Sequence, residues 1–522
     1  MQPHPSRRTF LAGAVAAAGG LLPYGAIPPG HGTVALWRES RIADPFTLGV
    51  ASGDPTPDGI VLWTRLAPRP LDESGRGGMP DRPVEVAWQL AADERFRSIV
   101  RSGTAVARPE YAHSVHVELD GLEPGREYFY RFRAAGEISP AGRTRTAPAP
   151  GTLGALTFAT ASCAHYEHGY YTAYRRLAQE EPDLVVHLGD YLYEYAPGGY
   201  TGMSGLVRRH AGDKCRTLAD YRVRHAQYKT DPDLQAAHAA APWLVVFDDH
   251  EVENNWAGPV SSTGARDFAA RRRAGMRAYY ENLPLRRSSV PRGDRMRLHR
   301  RVAWGSLAAF HLLDTRQFRD DQACLDGLRA GCDEALDAGR TLLGAGQRDW
   351  LLAGLRRSRA RWNLIGQQVI MARHDVGLGP GRELNMDSWD GYPAERARLL
   401  EGIHASGASN PVVLTGDAHI HHAADLRLDF DDPDSPRVAV ELVTSSISSD
   451  GDGYRDHVRM AALRVENPHI AYVDQRRGYI VCRVGPDELR AEFRTLDYVS
   501  RRGAPARTSA AFTVPSGQSV LA

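Results

Sequence analysis

Continuous apolar runs, each with the length of one strand, recur between residues 155 and 415 of this chain. Four of them read LTFATAS, LVVHLG, WLVVF and VVLTG. A strand that is apolar at nearly every position has both faces covered, which is typical of a sheet lying between other layers. Segments with helical spacing separate the runs, as in QRDWLLAGLRRSRARW. The pattern predicts a layered α/β domain, which we place at residues 155–500 and follow with a C-terminal tail at 501–522.

The residues before that domain have a different pattern of apolar and polar side chains. Segments such as VEVAWQLAAD and SVHVELDGLEPGREYFYRFRAAG alternate apolar and polar residues, and the period of two predicts half-buried strands. The stretch LEPGREYFYRF resembles the tyrosine-corner region of fibronectin-like sandwiches. We therefore predict a small N-terminal all-β domain of the fibronectin or immunoglobulin type at residues 44–148, with TAPAPGTLG from Thr146 to Gly154 as the linker.

The N-terminus has the features of an export signal. Ser6, Arg7 and Arg8 are followed by Thr-Phe-Leu and a short run rich in Ala and Gly that Pro23 interrupts. A membrane-spanning helix needs about 20 strongly apolar residues, so we expect a signal peptide over residues 1–32 and no transmembrane segment. Because paired arginines are typical of twin-arginine signals, we expect the twin-arginine (Tat) export machinery as a partner and a secreted, extracellular or periplasmic location.

Overall charge gives no reason to expect a polyanionic partner. The 522 residues carry a formal net charge of +1, and the isoelectric point is near 7.8. A one-signed field that could steer nucleic acid or an anionic membrane to the protein is absent from this composition. We therefore predict no specific nucleic-acid partner.

Each of the four apolar runs ends in side chains that can bind a metal. An acidic residue at one strand end is usually a turn or cap residue, but four such ends converge at one edge in an α/β fold and indicate a metal centre. The predicted ligands are Cys163, Asp190, Tyr193, Asp249, Asp417 and His419. Asp248, His421 and His422 are left out, because neighbouring residues on a strand point to opposite faces.

The ligand types constrain the metals. A thiolate from Cys163, a phenolate from Tyr193 and carboxylates together form a strongly anionic shell, which suits Fe³⁺ better than Zn²⁺. A second group of Asp190, Asp249 and Asp417 contains only carboxylates and suits Ca²⁺, with Mg²⁺ or Mn²⁺ as alternatives. Asp190 belongs to both groups and is the expected bridge.

The five cysteines of an exported chain fit two disulfides and one remaining thiol. Cys324 and Cys332 lie close together in an Asp- and Gly-rich loop and are expected to bridge. Cys215 with Cys482 is the other expected pair, which leaves Cys163 free for chemistry.

These motifs resemble those of a known family. GDYLY matches the G-D-x-x-Y motif of the metallophosphoesterase superfamily, while DDHE and GDAH stand where that group has G-N-H-[DE] and G-H-x-H. Cys163 in place of an early D-x-G, Asp249 in place of Asn and Asp417 in place of His are features of the alkaline phosphatase D (PhoD) family. The segments FTLGVASGDPTPDGIVLWTRL, DDHEVENNW and LDTRQFRDDQ extend the resemblance over essentially the whole chain.

That resemblance implies a metallophosphoesterase-like β-sandwich flanked by helices and a secreted phosphoesterase. Cys163, Asp190, Tyr193 and His419 would hold iron, while Asp190, Asp249 and Asp417 would hold calcium. A hydroxide held at the two cations would attack phosphorus, so that no protein nucleophile is needed. Asn254 or Asn255 are further calcium ligands to consider.

Two side chains are predicted to act on the substrate. His250 is expected to contact the phosphoryl group or protonate the leaving alkoxide, with a supporting hydrogen bond as the alternative. Arg316 is expected to clamp phosphate, with a structural ion pair to its acidic neighbours as an equal alternative. Trp389 and Tyr392 are expected to wall the pocket or anchor their loop.

Three functions remain open from the sequence. The first is a phosphomonoesterase or phosphodiesterase that acts on small phosphoesters, or on teichoic-acid-like or phospholipid substrates. The second is a phospholipase- or nuclease-like phosphodiesterase, and the third is a non-enzymatic surface protein with structural metals. Ligands with an open side at four strand ends favour the first two.

Overall fold

The computed structural model describes residues 43–454 and 456–522. The predicted signal peptide at residues 1–32 lies outside these residues. The first eight strands lie in the segment for which the period of two predicts strands. They are β1 (Val50–Thr56), β2 (Gly59–Arg65), β3 (Val84–Ala91), β4 (Ile99–Ala107), β5 (Ser114–Leu119), β6 (Glu127–Ala134), β7 (Glu137–Ile138) and β8 (Gly142–Arg145).

Strands and helices alternate in the next part of the chain, where the apolar runs lie. The elements are β9 (Leu156–Ala161), α1 (Thr172–Gln179), β10 (Leu184–His187), α2 (Leu218–Lys229), α3 (Pro232–Ala240), β11 (Pro242–Val245) and α4 (Phe268–Asn282). All four residues of β10 and of β11 are buried, as expected for strands covered on both faces.

The following segment repeats this alternation. It contains β12 (Arg300–Trp304), β13 (Ala308–Leu312), β14 (Leu328–Arg329), α5 (Gly344–Arg357), β15 (Trp362–Gly366), β16 (Leu384–Asn385), α6 (Pro393–Ser406) and β17 (Pro411–Thr415). The last part is mostly antiparallel and contains β18 (His421–Arg427), β19 (Arg437–Val443), α7 (His457–Glu466), β20 (Ile470–Asp474), β21 (Arg477–Val484), β22 (Glu488–Leu496) and β23 (Ala506–Pro515).

Two large sheets pack face to face. One has nine strands in the order β23-β22-β21-β9-β10-β11-β1-β2-β5, and the other has seven in the order β12-β13-β15-β17-β19-β18-β20. Apolar side chains from both sheets form the central core, including Phe158, Val186, Phe310 and Leu414. A second core joins the nine-stranded sheet to α1, α3 and α4, and a third joins the other sheet to α5 and α6. The predicted α/β class is therefore confirmed, with helices on the outer faces.

The separate N-terminal all-β domain is not confirmed, because part of it belongs to the large sheet. Strand β1 pairs in parallel with β11 through Ser52 with Pro242 and Gly53 with Trp243. A Cβ at Gly53 would lie 2.5 Å from the Pro284 carbonyl oxygen and 2.7 Å from that of Trp243, so only glycine fits this contact. Strands β3, β4, β6, β7 and β8 form a smaller sheet that packs on the β1, β2 and β5 end.

A tyrosine-corner contact is present in this N-terminal part. Tyr128 is buried, and its hydroxyl oxygen accepts a hydrogen bond from the Glu123 backbone N–H at 3.1 Å. Bonds of this kind, from a tyrosine to the backbone a few residues upstream, stabilise corners of β-sandwiches.

The expected C-terminal tail at 501–522 is wrong as a description of this segment. Strand β23 pairs along its length with β22 and forms one edge of the nine-stranded sheet. Val514 is 1% exposed in the central core. The segment is therefore part of the sandwich.

Of the two predicted disulfides, one is formed. Cys324 and Cys332 are joined. The predicted pair of Cys215 and Cys482 is wrong, since both are free and buried in different cores: Cys482 lies on β21 between the sheets, and Cys215 packs on Tyr221 and Ala278. Within the described residues, the helices are too short or too polar to cross a membrane.

Candidate metal centre

Four tight loops bring the predicted ligands to one end of the sandwich. They follow β9, β10 and β11, which are neighbouring parallel strands, and β17 of the other sheet. Cys163, Asp190, Asp417 and His419 all have positive φ, between 53° and 58°. Non-glycine residues adopt this conformation rarely and mostly where the surroundings impose it, as at functional sites.

Close approach of two loops explains a glycine in this region. Gly189 has a φ of +113°, and a Cβ there would lie 2.5 Å from the Cβ of Asp248. The loops after β10 and β11 are therefore packed against each other with no room for a side chain. Their carboxylates are consequently held close together.

Ligand atoms of these residues form three overlapping groups. In each group the atoms lie within 4.8 Å of one another: Cys163, Asp190 and His419; Asp190, Asp249 and His250; and Asp190, Asp248, Asp249 and Asp417. Asp190 is the residue that the three groups share. Within the described residues, a further group at Cys324, Cys332 and Glu334 contains the disulfide.

Tyr193 lies beside the group that contains the Cys163 thiol. Its hydroxyl donates a hydrogen bond to Asp190 Oδ2 at 3.0 Å and lies 3.0 Å from His419 Nε2. On its other side, His419 places Nδ1 2.7 Å from Asp450 Oδ2. Such a carboxylate fixes the tautomer of an imidazole and leaves Nε2 available as a ligand.

Burial and mutual repulsion disfavour the anionic forms of four of these side chains when no cation is bound. Burial is the main cause that raises the pKa of Cys163, Asp190, Tyr193 and Asp417 well above the usual values. Asp190 adds to the effect on Cys163 and Tyr193, and Asp248 adds to the effect on Asp417. A bound cation reverses this balance, because it favours the anionic forms that serve as ligands.

Two buried acceptor atoms that lack a hydrogen-bond partner are consistent with a metal site at these residues. Asp248 Oδ2 and Asp249 Oδ1 are buried and accept no hydrogen bond from the protein. A buried carboxylate oxygen without a partner is costly. Hard cations coordinate carboxylate oxygens, so the donor set and these free atoms match such an ion.

His250 is close to the carboxylates, but a glutamate holds it. Its Nδ1 lies 2.9 Å from Glu194 Oε2, and its Nε2 lies 3.9 Å from Asp249 Oδ2. Burial lowers the pKa of His250, but Asp249, Asp190 and Glu194 together raise it well above the usual value. Glu194 is completely buried and also accepts a hydrogen bond from the Asn254 backbone N–H.

The contacts of Arg316 do not favour its predicted role as a phosphate clamp. Its side chain is fully buried; Nε donates to Asp248 Oδ1 at 2.5 Å, and the two Nη groups donate to Asp387 Oδ1 and Oδ2 at 2.8 Å each. Because these carboxylates occupy its donors, Arg316 orients Asp248 and neutralises part of the cluster. The structural ion pair is the alternative that the contacts favour.

Several residues that support the centre were not singled out from the sequence. The Glu251 carboxylate accepts hydrogen bonds from the backbone N–H groups of Asp190, Tyr191 and Asp248, and so joins the loops after β10 and β11. Its position in DDHE was the available signal. Asp387 and Asp450 lie in long loops, and the sequence carried no signal for their positions.

The remaining predicted residues have the following places. Trp389 and Tyr392 are completely buried, so they anchor their loop rather than wall a pocket. The Asn255 backbone N–H donates to Asp249 Oδ2 at 2.7 Å, and the Asn254 side chain accepts from the Tyr195 hydroxyl. His421 and His422 are buried on β18.

Comparison with known structures identifies the fold. A purple acid phosphatase from yellow lupin seeds superimposes with a TM-score of 0.54 at 14% identity, covering 89% of this chain and 74% of that one. At this identity the likeness establishes a shared fold. In this shared fold, the carboxylate-rich group at the strand ends is a candidate metal centre.

Sequence comparison gives the particular family. The model for the PhoD-like phosphatase matches residues 158–493, and the model for the PhoD-like phosphatase N-terminal domain matches residues 32–148. Alkaline phosphatase D of Bacillus subtilis (strain 168) is 49% identical over 480 residues, which are 91% of this chain and 82% of that protein. A structure of PhoD superimposes with a TM-score of 0.89 at 49% identity, covering 92% of each chain. This chain belongs to the PhoD-like phosphatase family and is a phosphatase of the alkaline phosphatase D type.

Proposed function

We propose that this phosphatase is an exported enzyme that hydrolyses phosphomonoesters, phosphodiesters or both at a centre of Fe³⁺ and Ca²⁺. Mg²⁺ and Mn²⁺ are the alternatives for the second cation. The observation that carries the proposal is the position of Asp190, which belongs to all three groups of ligand atoms. A carboxylate in this position can bind two cations at once.

The group around the Cys163 thiol and the group of aspartates differ in the chemistry of their donor atoms. Cys163, Asp190 and His419 lie around the Tyr193 hydroxyl, and a thiolate with a phenolate favours a trivalent ion. Asp190, Asp249 and Asp417 offer only carboxylate oxygens, which favour Ca²⁺. The different donors support one site for each cation.

When bound, the cations neutralise the phosphoryl oxygens and lower the pKa of a water molecule. Asp190 and Asp249 hold their carboxylates at the position where this chemistry takes place. His250, with Nδ1 held by Glu194, directs Nε2 toward the same region and supplies a proton to the leaving oxygen. Arg316 donates to Asp248 Oδ1 and keeps this carboxylate oriented.

Export is the second part of the proposal. The sequence Ser6-Arg7-Arg8-Thr9-Phe10-Leu11 supports recognition by the twin-arginine machinery, which carries folded proteins. Small phosphoesters, teichoic-acid-like polymers and phospholipids are the substrates that such an enzyme would meet outside the cytoplasm. A formal net charge of +1 does not favour nucleic acid.

Metal analysis and visible absorption test the centre directly. We expect purified enzyme to contain iron and calcium and to absorb visible light through charge transfer from tyrosinate to Fe³⁺. The exchange Tyr193→Phe should remove this band, whereas Tyr195→Phe, a nearby tyrosine that donates to Asn254, should retain it. An iron-free enzyme with full turnover would contradict the iron assignment.

A pair of substrates tests the reaction. p-Nitrophenyl phosphate and bis-p-nitrophenyl phosphate carry the same chromophore, so their kcat/KM values separate monoester from diester preference. The exchange Asp190→Ala should abolish turnover of both substrates and reduce the content of both metals. Retained turnover in this variant would exclude the bridging role.

A further inference from the structure

The loop closed by the disulfide between Cys324 and Cys332 has an unusual backbone. Cys324, Leu325, Asp326 and Gly327 have φ values of 52°, 62°, 66° and 73°, so four consecutive residues are in the left-handed region. Three of them are not glycine, and such residues adopt this conformation only where local restraints impose it. The loop is therefore held in a conformation that the chain alone does not favour.

Several restraints hold this loop in addition to the disulfide. The Cys324 backbone N–H donates to Glu334 Oε2 at 2.7 Å, and Arg329 Nε donates to the Cys324 carbonyl oxygen at 2.7 Å. The Met386 backbone N–H donates to the Gly327 carbonyl oxygen at 3.0 Å. Leu325, by contrast, is 94% exposed. The restraints therefore fix the backbone on both sides of Asp326.

Asp326 connects this loop to the metal centre. Its Oδ2 accepts a hydrogen bond from Asn255 Nδ2 at 2.6 Å, and the Asn255 backbone N–H donates to Asp249 Oδ2 at 2.7 Å. Asn255 itself has a φ of 49°. Its carbonyl oxygen accepts from Gln322 Nε2 at 2.9 Å. Only one residue therefore lies between Asp326 and a carboxylate of the centre.

We propose that Asp326 is a positioning residue of the metal centre and that the disulfide between Cys324 and Cys332 keeps it in place. The inference rests on the proposed function, because Asp249 is a ligand there. Without the Asp326 carboxylate, Asn255 loses the side-chain contact that fixes it in the left-handed conformation. The N–H that orients Asp249 then loses its fixed direction. Residues that orient a ligand in this way affect metal affinity and turnover.

The oxidation state of Cys324 and Cys332 would then govern the contact between Asp326 and Asn255. Forming the disulfide joins the two sulfur atoms and releases two protons and two electrons. A low-molecular-weight disulfide outside the cytoplasm accepts both and becomes two thiols. Exported proteins retain disulfides, whereas the cytosol keeps thiols reduced. The enzyme would therefore reach full activity only after export.

Substitutions at three positions separate the contact from general effects on the loop. Asp326→Ala removes the acceptor, and Asp326→Asn keeps an amide oxygen that can accept from Asn255. Leu325→Ala is the matched control at the preceding residue, which also has a positive φ and whose side chain is exposed. Cys324→Ser combined with Cys332→Ser removes the disulfide without a reductant, which would also act on iron and Cys163.

Each variant is measured for kcat and KM on bis-p-nitrophenyl phosphate, bound metal after dialysis, and Tm. We expect Asp326→Ala and the double serine variant to lower kcat by about 10- to 100-fold and to retain less metal. KM should change by less than about threefold, because Asp326 is proposed to act through Asn255 and not on the substrate. Asp326→Asn should recover most of the turnover, and Leu325→Ala should match the wild type.

A double-mutant cycle identifies the mechanism. If the disulfide acts through Asp326, adding Asp326→Ala to the double serine variant should produce little further loss, because coupled residues are not additive. The proposal would be overturned if the losses of kcat from the double serine variant and from Asp326→Ala multiplied when combined. It would also be overturned if the Asp326→Ala enzyme kept turnover within twofold of wild type. Should Asp326→Ala fail to fold, Asn255→Ala removes the same side-chain bond from the other partner and is judged by the same criteria. A wild-type enzyme without bound metal would instead refute the proposed function.

Discussion

The contact between His250 and Glu194 shows how one buried carboxylate determines what an imidazole can do. Glu194 Oε2 lies 2.9 Å from His250 Nδ1 and is fully buried. A carboxylate at this distance holds the proton on Nδ1 and fixes the orientation of the ring. The other nitrogen is then presented to the carboxylates of the metal centre.

We expect the exchange Glu194→Gln to lower kcat by about 10- to 100-fold with little change in KM, as is typical when a supporting partner of an active-site group is removed. The physical reason is the loss of the charge that orients His250. Steady-state kinetics with p-nitrophenyl phosphate check the prediction. Glu281→Gln is the control, because it changes a buried glutamate that pairs with Arg222 instead; equal losses in both variants would contradict a specific role.

Residue identity and position predicted where the candidate ligands lie better than where the residues that support them lie. Cys163, Asp190 and Asp417 directly follow apolar runs, so their place at the edge of the sheet could be read from the sequence. The contact of Asp450 with His419 depends on a long loop that folds back from a distant part of the chain. Local sequence carries no signal for such a contact, because loop conformation is determined by tertiary packing.

Strand β23 shows that a weak pattern can still form an essential element. Its sequence, ARTSAAFTVP, has few large apolar residues, and it was expected to be a tail. Pairing with β22 supplies backbone hydrogen bonds, and Val514 provides the contact with the central core. The apolar runs of β10 and β11 were predicted correctly because burial on both faces requires such a composition.

Two substitutions on β23 test its role as a structural strand. Val514 is buried, whereas its neighbour Thr513 is only partly buried and points to the opposite face. We expect Val514→Asp to lower the free energy of unfolding by about 3–5 kcal/mol, because it buries an unpaired charge. Thr513→Asp should change it by less than about 1 kcal/mol. Chemical denaturation measures both values, and similar effects would show that the strand is not packed in solution.

At the scale of the whole molecule, buried histidines make the fold sensitive to acid. Burial lowers the pKa of His187 to about 3 and those of His311 and His469 to about 4. In an unfolded chain histidine has a pKa of about 6.5. Between these values the unfolded state binds more protons than the folded state, so stability is lost as the pH falls below about 6.5.

We expect each of these histidines to contribute about 1.4 kcal/mol per pH unit to that loss. The exchange His311→Asn should reduce the slope of the free energy of unfolding between pH 6 and pH 4.5. Denaturant titrations across this pH range measure the slopes, and an unchanged slope for His311→Asn would contradict the prediction.

The parallel pairing of β1 with β11 also determines when the protein can fold during its synthesis. Ser52 pairs with Pro242, so the first strand leaves the ribosome long before its partner is made. At about 5–20 residues per second, this delay is on the order of ten to forty seconds. Strand β23, an edge strand of the same sheet, is translated later still. The edge of β1 that pairs with β11, and the edge of β22 that pairs with β23, therefore stay without their partner strands until these later segments have been translated.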